Sequence, residues 1–245
     1  MDSDLPEVHT YVLNAGMVSG GKKHRSASTA LRLLDAAERL FGEHGYNGVG
    51  MRALAQAAHV NLAATTYHFG SKKALYVETF LRRFRGVNAQ RLVLLAAADH
   101  EAQGRPLPVE RIVDCMMRPS VEVGLAHPAF NKMVARTLLA PPKFLHEYLK
   151  AEFEPNIKVF TAVLERALPA VPLELLTLRL ALALGATLMF GMQMSSIKMK
   201  RDPKREAAFL KELVRFTASG LASPAATHGA ELARLRPPAH RKRTA

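Results

Sequence analysis

The sequence predicts an all-α protein of about nine helices, and three features point that way. Ala, Leu, Arg and Met dominate the composition, and these are strong helix formers. Apolar residues recur at three- and four-residue spacing, whereas long alternating Val/Ile/Tyr runs are absent. Prolines and glycines punctuate the chain at intervals of helix length. The expected layout is a disordered arm over 1–26, a three-helix helix-turn-helix domain over 27–76, a larger helical domain over 77–221 and a disordered basic tail over 222–245.

Taken in order, residues 1–26 mix Asp, Pro, Gly, Ser and Lys without periodicity, and Met17 reads as a candidate natural start. The first helix is expected from about Ser28 to His44. Leu31, Leu34, Ala37, Leu40 and Phe41 form one apolar face, Ser28 or Thr29 caps it, and Gly45 ends it. A short helix over Met51–Ala58 turns Leu54 and Ala55 inward. His59, Val60 and Asn61 form a tight turn into a second short helix, Leu62–His68. Ser71 then caps a long helix through about Ala98. Gly104–Pro108 reads as a linker and a structural boundary, although the long helix straddles the two domains. Further helices are expected near 109–126, 128–139, 143–168, 172–198 and 203–221, with Pro128, Pro141, Pro142, Pro169, Pro172 and Pro203 at their starts.

Charge is placed unevenly. The formal net charge is +13. Residues 22–85 carry 11 Lys or Arg against 4 Asp or Glu, whereas 1–21 are acidic. A basic N-terminal third attracts a polyanion, most simply nucleic acid. The single cysteine, Cys115, leaves no intramolecular disulfide, which fits the cytoplasm. Residues 1–26 lack the apolar core of a signal peptide, and the apolar stretch Leu180–Met192 is too short to span a bilayer.

Two short helices joined by a three-residue turn and flanked by longer helices make a helix-turn-helix. The second helix enters a major groove only if its outer face is compact. Here that face is Leu62, Ala63, Ala64, Thr66, Tyr67 and His68. Ala and Leu methyls suit thymine methyls, Thr and His can bond base edges or phosphate, and Tyr suits phosphate. Asn61 can cap the helix and reach DNA. Lys72, at the start of the next helix beside free backbone N–H groups, is a candidate phosphate clamp, and Arg52 opens the first short helix.

Residues 29–76 resemble the DNA-binding domain of the TetR family of bacterial transcriptional regulators. The likeness lies in Ala36–Phe41, Gly45-Tyr46, Met51–Ala55, Val60-Asn61 and Tyr67–Leu75. It implies an all-α homodimer that binds a palindromic double-stranded operator and is released by a small ligand. Arg52, Leu62, Ala63, Ala64, Thr66, Tyr67, His68 and Lys72 match DNA-contact positions of the family. Three positions depart from it. Gly50 replaces a usual Thr or Ser cap, His59 a usual turn Gly, and Thr65 a usual apolar core residue.

Residues 111–168 resemble the C-terminal domain of the fatty-acid-responsive branch. The shared residues are Met117-Arg118-Pro119, His127–Phe130, Arg136, Pro141 and Glu165–Pro169. The branch implies an apolar acyl ligand, a fatty acid or acyl-CoA. Thr137 stands where that branch has an acidic residue. Met117, Phe130, Met133, Phe153, Phe160, Met189 and Met192 are candidate lining residues, since Met adapts to irregular apolar ligands; for each, plain core packing competes. Arg136, and also His127, could meet a carboxylate or phosphate head group. From Leu180 to Met192 the sequence is apolar all round, so a two-fold four-helix interface with the last helix is expected to finish its burial.

No cofactor, metal site or catalytic set is expected. Gly16–Lys22 matches the glycine-rich phosphate-loop pattern, but Lys23 replaces the magnesium-binding Ser or Thr and no strand precedes it. Cys115 has no Cys or His at metal spacing. A regulator gated by a protein partner, or ungated, is the alternative to ligand gating, and an all-α enzyme is the more distant one.

Overall fold

The computed structural model describes residues 21–196 and 202–224. The tail beyond Pro224, the phosphate-loop-like glycines before Gly21 and Met17 lie outside the described residues. Among those described, the regular structure is entirely helical: α1 (Gly21–His44), α2 (Met51–Ala57), α3 (Leu62–Phe69), α4 (Lys72–Ala102), α5 (Val109–Ala126), α6 (Pro128–Leu139), α7 (Leu145–Ala167), α8 (Leu173–Ser196) and α9 (Pro203–Ala222).

Two boundaries differ from the expectation. Helix α1 starts at Gly21, so the last residues of the expected disordered arm are helical and neither Ser28 nor Thr29 caps it. Residues 22–41 contain no proline or glycine, so nothing stops the helix from growing towards its N-terminus. Helix α4 runs one turn past Ala98 and stops where Gln103 and Gly104 take positive φ values of 51° and 81°.

The chain parts into two compact units between Phe80 and Leu81, inside α4. Gly104–Pro108 is instead the turn between α4 and α5. In the first unit, Leu33 and Ala36 of α1 pack on Ala58, with Val60 and Phe69 alongside. Phe41, Tyr46 and Tyr76 form an aromatic group, with Phe41–Tyr76 centroids 4.8 Å apart and Tyr46–Tyr76 centroids 5.0 Å apart. Tyr76 on α4 is thereby tied to α1, which explains why the first turns of α4 belong to this unit.

The core of the second unit takes Leu95 and Ala98 from α4 and Ile112, Met116, Met117 and Val121 from α5. Phe160 and Leu164 of α7, Leu176 and Leu180 of α8, and Leu210 and Val214 of α9 complete it. Two helices carry internal prolines, Pro119 in α5 and Pro155 in α7. Each removes the backbone bond to residue i−4. The next carbonyl along in each helix accepts a side chain from α4: Met116 O from Arg91 Nε at 2.7 Å, and Glu152 O from Asn88 Nδ2 at 3.1 Å.

Candidate nucleic-acid interface

The turn between α2 and α3 is built by local bonds. Gly50 precedes α2 in an extended conformation and supplies no side-chain cap. Leu54 and Ala55 are buried, which fixes the roll of α2. The chain then reverses at His59, whose φ of 53° is left-handed. His59 N–H donates to Gln56 O and Val60 N–H to Ala55 O, each at 3.0 Å. A left-handed residue without glycine costs about 1–2 kcal/mol, so the departure at His59 is a real local strain.

Asn61 caps α3: its Oδ1 accepts from Ala64 N–H at 2.6 Å. Thr65, which stands at an apolar core position, is fully buried. Its hydroxyl donates back to Asn61 O at 3.4 Å, so the polar atom is satisfied inside its own helix. Gly70, at φ 67°, ends α3. Ser71 Oγ then accepts from Ala74 N–H at 3.1 Å and caps α4.

These bonds present one outward face. Arg52, Asn61, Ala63 and Thr66 are exposed, Leu62 is partly so, and Tyr67 is 84% exposed. A tyrosine that open contributes little to packing in its own unit. Ala64 and His68 are half-buried. Burial pushes the His68 imidazole below its ordinary value, which favours the neutral ring.

Lys72 is held rather than free. Its Nζ donates to Val49 O at 3.0 Å and lies 4.4 Å from the Tyr46 ring centroid. The ammonium therefore spends part of its capacity inside the unit, and its position is fixed by Tyr46. The sequence placed Tyr46 in the family pattern but gave it no role. The signal was the pair itself, an aromatic before α2 and a lysine at the start of α4, which only the fold brings together.

The ligand candidates separate. Met117, Phe130, Met133 and Phe160 are buried, and Phe153 is half-buried with its ring 4.8 Å from that of Phe84. Phe84 also meets Phe130, at 5.2 Å. Two expectations need correction. Arg136 is on the exposed side of α6, while the next residue, Thr137, is buried and donates to Met133 O at 2.7 Å. Met189 is 60% exposed on α8, because Leu180, Ala183 and Thr187 take the inward positions. The side chain of Met192 lies outside the described residues.

The model of the N-terminal domain of "Bacterial regulatory proteins, tetR family" matches residues 33–79. That of the "Tetracyclin repressor-like, C-terminal domain" matches residues 114–220, so the two together span more than half the chain. This protein belongs to the TetR family. The HTH-type transcriptional regulator UidR of Escherichia coli (strain K12) is 29% identical over 154 residues, 57% of this chain and 76% of that protein. The regulatory protein RaaS of Mycobacterium tuberculosis is 52% identical over 44 residues, 18% of this chain and 20% of that protein. The fatty acid degradation regulator FadR of Bacillus halodurans shares the fold, with a TM-score of 0.62 at 14% identity over 77% of this chain and 97% of that one. So does the TetR-family regulator PfmR of Thermus thermophilus, with a TM-score of 0.52 at 21% identity, covering 79% of this chain and 98% of that one. The chain is thus a DNA-binding transcriptional regulator of the TetR family, which makes an enzyme the poorer reading.

Proposed function

We propose that this regulator is a repressor that binds a palindromic operator as a homodimer and leaves it when a small apolar ligand binds its larger domain. The observation that carries the DNA half is the face of α3. Tyr67, Thr66, Ala63 and Leu62 are exposed there, while Thr65 and the Asn61 cap hold the helix from behind. Arg52 and Asn61 flank that face, Ala64 and His68 border it, and Lys72 contributes what remains of its hydrogen-bonding capacity to a backbone phosphate.

The dimer half rests on α8 and α9. Leu178, Leu182 and Met189 on α8 and Phe216 on α9 are exposed large apolar side chains. Leu182 is 65% and Phe216 73% exposed, and a second copy would cover them. The ligand half rests on Met117, Phe130, Met133, Phe153 and Phe160, and on the fold shared with a fatty acid degradation regulator. A fatty acid or acyl-CoA is the first ligand to try. Action on DNA would suit the cytoplasm; no described helix is long and apolar enough to cross a membrane.

The test is a binding-site selection from random duplex DNA, followed by gel-shift titration with sodium laurate and lauroyl-CoA. A two-fold symmetric site, with half-sites centred about one turn (~34 Å) apart and released by either compound, is the expected result. Failure to enrich any symmetric site would remove the operator reading. A site that neither compound releases would leave a regulator gated by a protein partner or ungated.

A further inference from the structure

The larger unit hides a cation that its own carboxylates do not neutralise. Arg91 on α4 is 6% exposed. Its Nε donates to Met116 O at 2.7 Å, its Nη2 to Ser120 Oγ at 2.7 Å and its Nη1 to Asn88 Oδ1 at 3.1 Å. All three acceptors are neutral, and a guanidinium has five N–H donors. Among the described residues no carboxylate meets it within salt-bridge distance.

One carboxylate is kept an amide away. Glu152 on α7 takes Asn88 Nδ2 on its Oε1 at 3.0 Å and has Arg85 Nε 3.8 Å from its other oxygen. Asn88 therefore sits between the two charges, accepting from Arg91 on one side and donating to Glu152 on the other. An aspartate or glutamate at that position would have neutralised Arg91 outright. Burial pushes the guanidinium down to about 10, which leaves it charged at neutral pH. An uncompensated buried charge is among the costliest features a core can carry.

A second buried polar group on α7 is also unspent. Asn156, one turn after Glu152, is buried, and its Oδ1 has no hydrogen-bond partner. Between them, α4 and α7 hold a buried donor set with capacity to spare and a buried acceptor with none of its capacity used. The same core carries Met116, Met117 and Phe160.

We propose that Arg91 receives the free carboxylate of the apolar ligand, so that the effector is an acid rather than its thioester or alcohol. The inference rests on the ligand-gated reading and narrows it. A carboxylate matches the planar guanidinium and supplies the missing charge, and its carboxyl end lies within the polar cluster of Asn88 and Ser120. A thioester carbonyl offers no charge. Coenzyme A's own phosphates sit at the far end of a long polar arm and would have to be drawn into this core.

The experiment uses the full chain and three probes of one length: sodium laurate, lauroyl-CoA and 1-dodecanol. Calorimetric titration of the wild type is expected to show laurate binding roughly ten- to hundredfold more tightly than either other probe, the range of a charge-assisted hydrogen-bonded pair. Arg91→Met is expected to lose that margin, keep its 1-dodecanol affinity and melt, without ligand, no lower than the wild type. Equal affinity for laurate and 1-dodecanol in the wild type overturns the proposal, and that comparison stands even where Arg91→Met does not fold. Tight binding of lauroyl-CoA, absence of laurate binding, or unchanged laurate affinity in folded Arg91→Met overturns it too. DNA release is read separately by gel shift. Laurate binding without release keeps the Arg91 site and removes the gating reading, whereas release by 1-dodecanol keeps gating and removes the site.

Discussion

Both units of this chain turn buried Thr hydroxyls back one turn, as Thr137 does to Met133 O in the larger one, but the larger unit adds buried amide and guanidinium side chains that tie distant helices together. In the N-terminal unit, buried Thr65 and Thr79 turn their hydroxyls back one turn, to Asn61 O at 3.4 Å and Leu75 O at 2.6 Å. Asn61 and Ser71 cap helices three residues ahead. In the larger unit, Arg91 reaches Met116 and Ser120, 25 and 29 residues on, and Asn88 reaches Glu152, 64 residues on. Bonds of the first kind form whenever the helix forms. Bonds of the second kind need three helices already in place, and they fix how those helices sit. A DNA-reading unit must hold one shape. A ligand domain gains from polar ties whose balance a bound molecule can change.

That contrast gives the largest expected effect. Asn88→Ala removes the tie to α7 at Glu152 O and also the acceptor of Arg91 Nη1. It strands a buried guanidinium further, and should destabilise the larger unit by about 3 kcal/mol. Thr79→Val, in the other unit, removes a bond that Leu75 O does not need, because the carbonyl keeps its place in the helix ladder. It should cost less than about 1 kcal/mol. Urea unfolding of both variants measures the pair. Equal costs would abolish the distinction between local and long-range ties.

Lys72 tests whether the N-terminal unit uses a side chain twice. Lys72→Ala should weaken binding to every DNA sequence about tenfold and lower the salt slope by about one. Lys72→Met keeps the aliphatic stem against Tyr46 and should show the same loss of slope. A fall in melting temperature with an unchanged salt slope would mean that the ammonium serves only Val49 O and the Tyr46 ring.

How much of each unit could be read from sequence follows the same line. The α2–α3 turn, the Asn61 and Ser71 caps and the outward Leu62, Ala63, Thr66 and Tyr67 of α3 depend on neighbours within four positions and were legible from pattern and spacing, whereas Ala64 and His68, expected on the same face, are half-buried. Helix spans were legible for the same reason. The start of α1 was not, because no residue near position 27 forces an end and composition alone suggested disorder. In the larger unit the sequence chose Arg136 as the polar ligand-facing residue, yet α6 turns it outward. It overlooked Arg91, although α4 buries apolar residues four positions on either side of it, Val87 and Leu95. That spacing puts position 91 on the inward face, but it gives no hint of the acceptors that hold a charged residue there. Those acceptors, Met116 O and Ser120 Oγ, lie on another helix. Met189 was misplaced for another reason: from Leu180 to Met192 the sequence is apolar on every side, so periodicity could not say which side faces in.

His59 offers a gain of stability within the local regime. Its φ of 53° suits glycine, and its N–H bond to Gln56 O needs no side chain. His59→Gly should stabilise the unit by about 1 kcal/mol, less the entropy glycine costs in the unfolded chain, and raise its melting temperature by roughly 2–4 °C. DNA affinity should be unchanged, since the turn geometry is kept. A loss of stability would show that the imidazole makes a contribution the backbone does not.

The smallest effect is expected at Gly50, and it isolates one hydrogen bond. The residue already has the extended N-cap conformation of α2, φ −101° and ψ 157°, with no side chain to accept from the helix. A Cβ built there meets nothing within 4 Å. Gly50→Ser therefore adds a cap without a clash, and serine exceeds glycine at this position by only a few tenths of a kcal/mol. About 0.3 kcal/mol of added stability is the expected outcome in urea unfolding. The hydroxyl also sits beside Arg52 at the start of α2, where a second donor could reach phosphate. If DNA affinity rises while stability hardly moves, the contact outweighs the cap. If stability rises alone, Gly50 costs this unit a cap and its DNA contacts nothing.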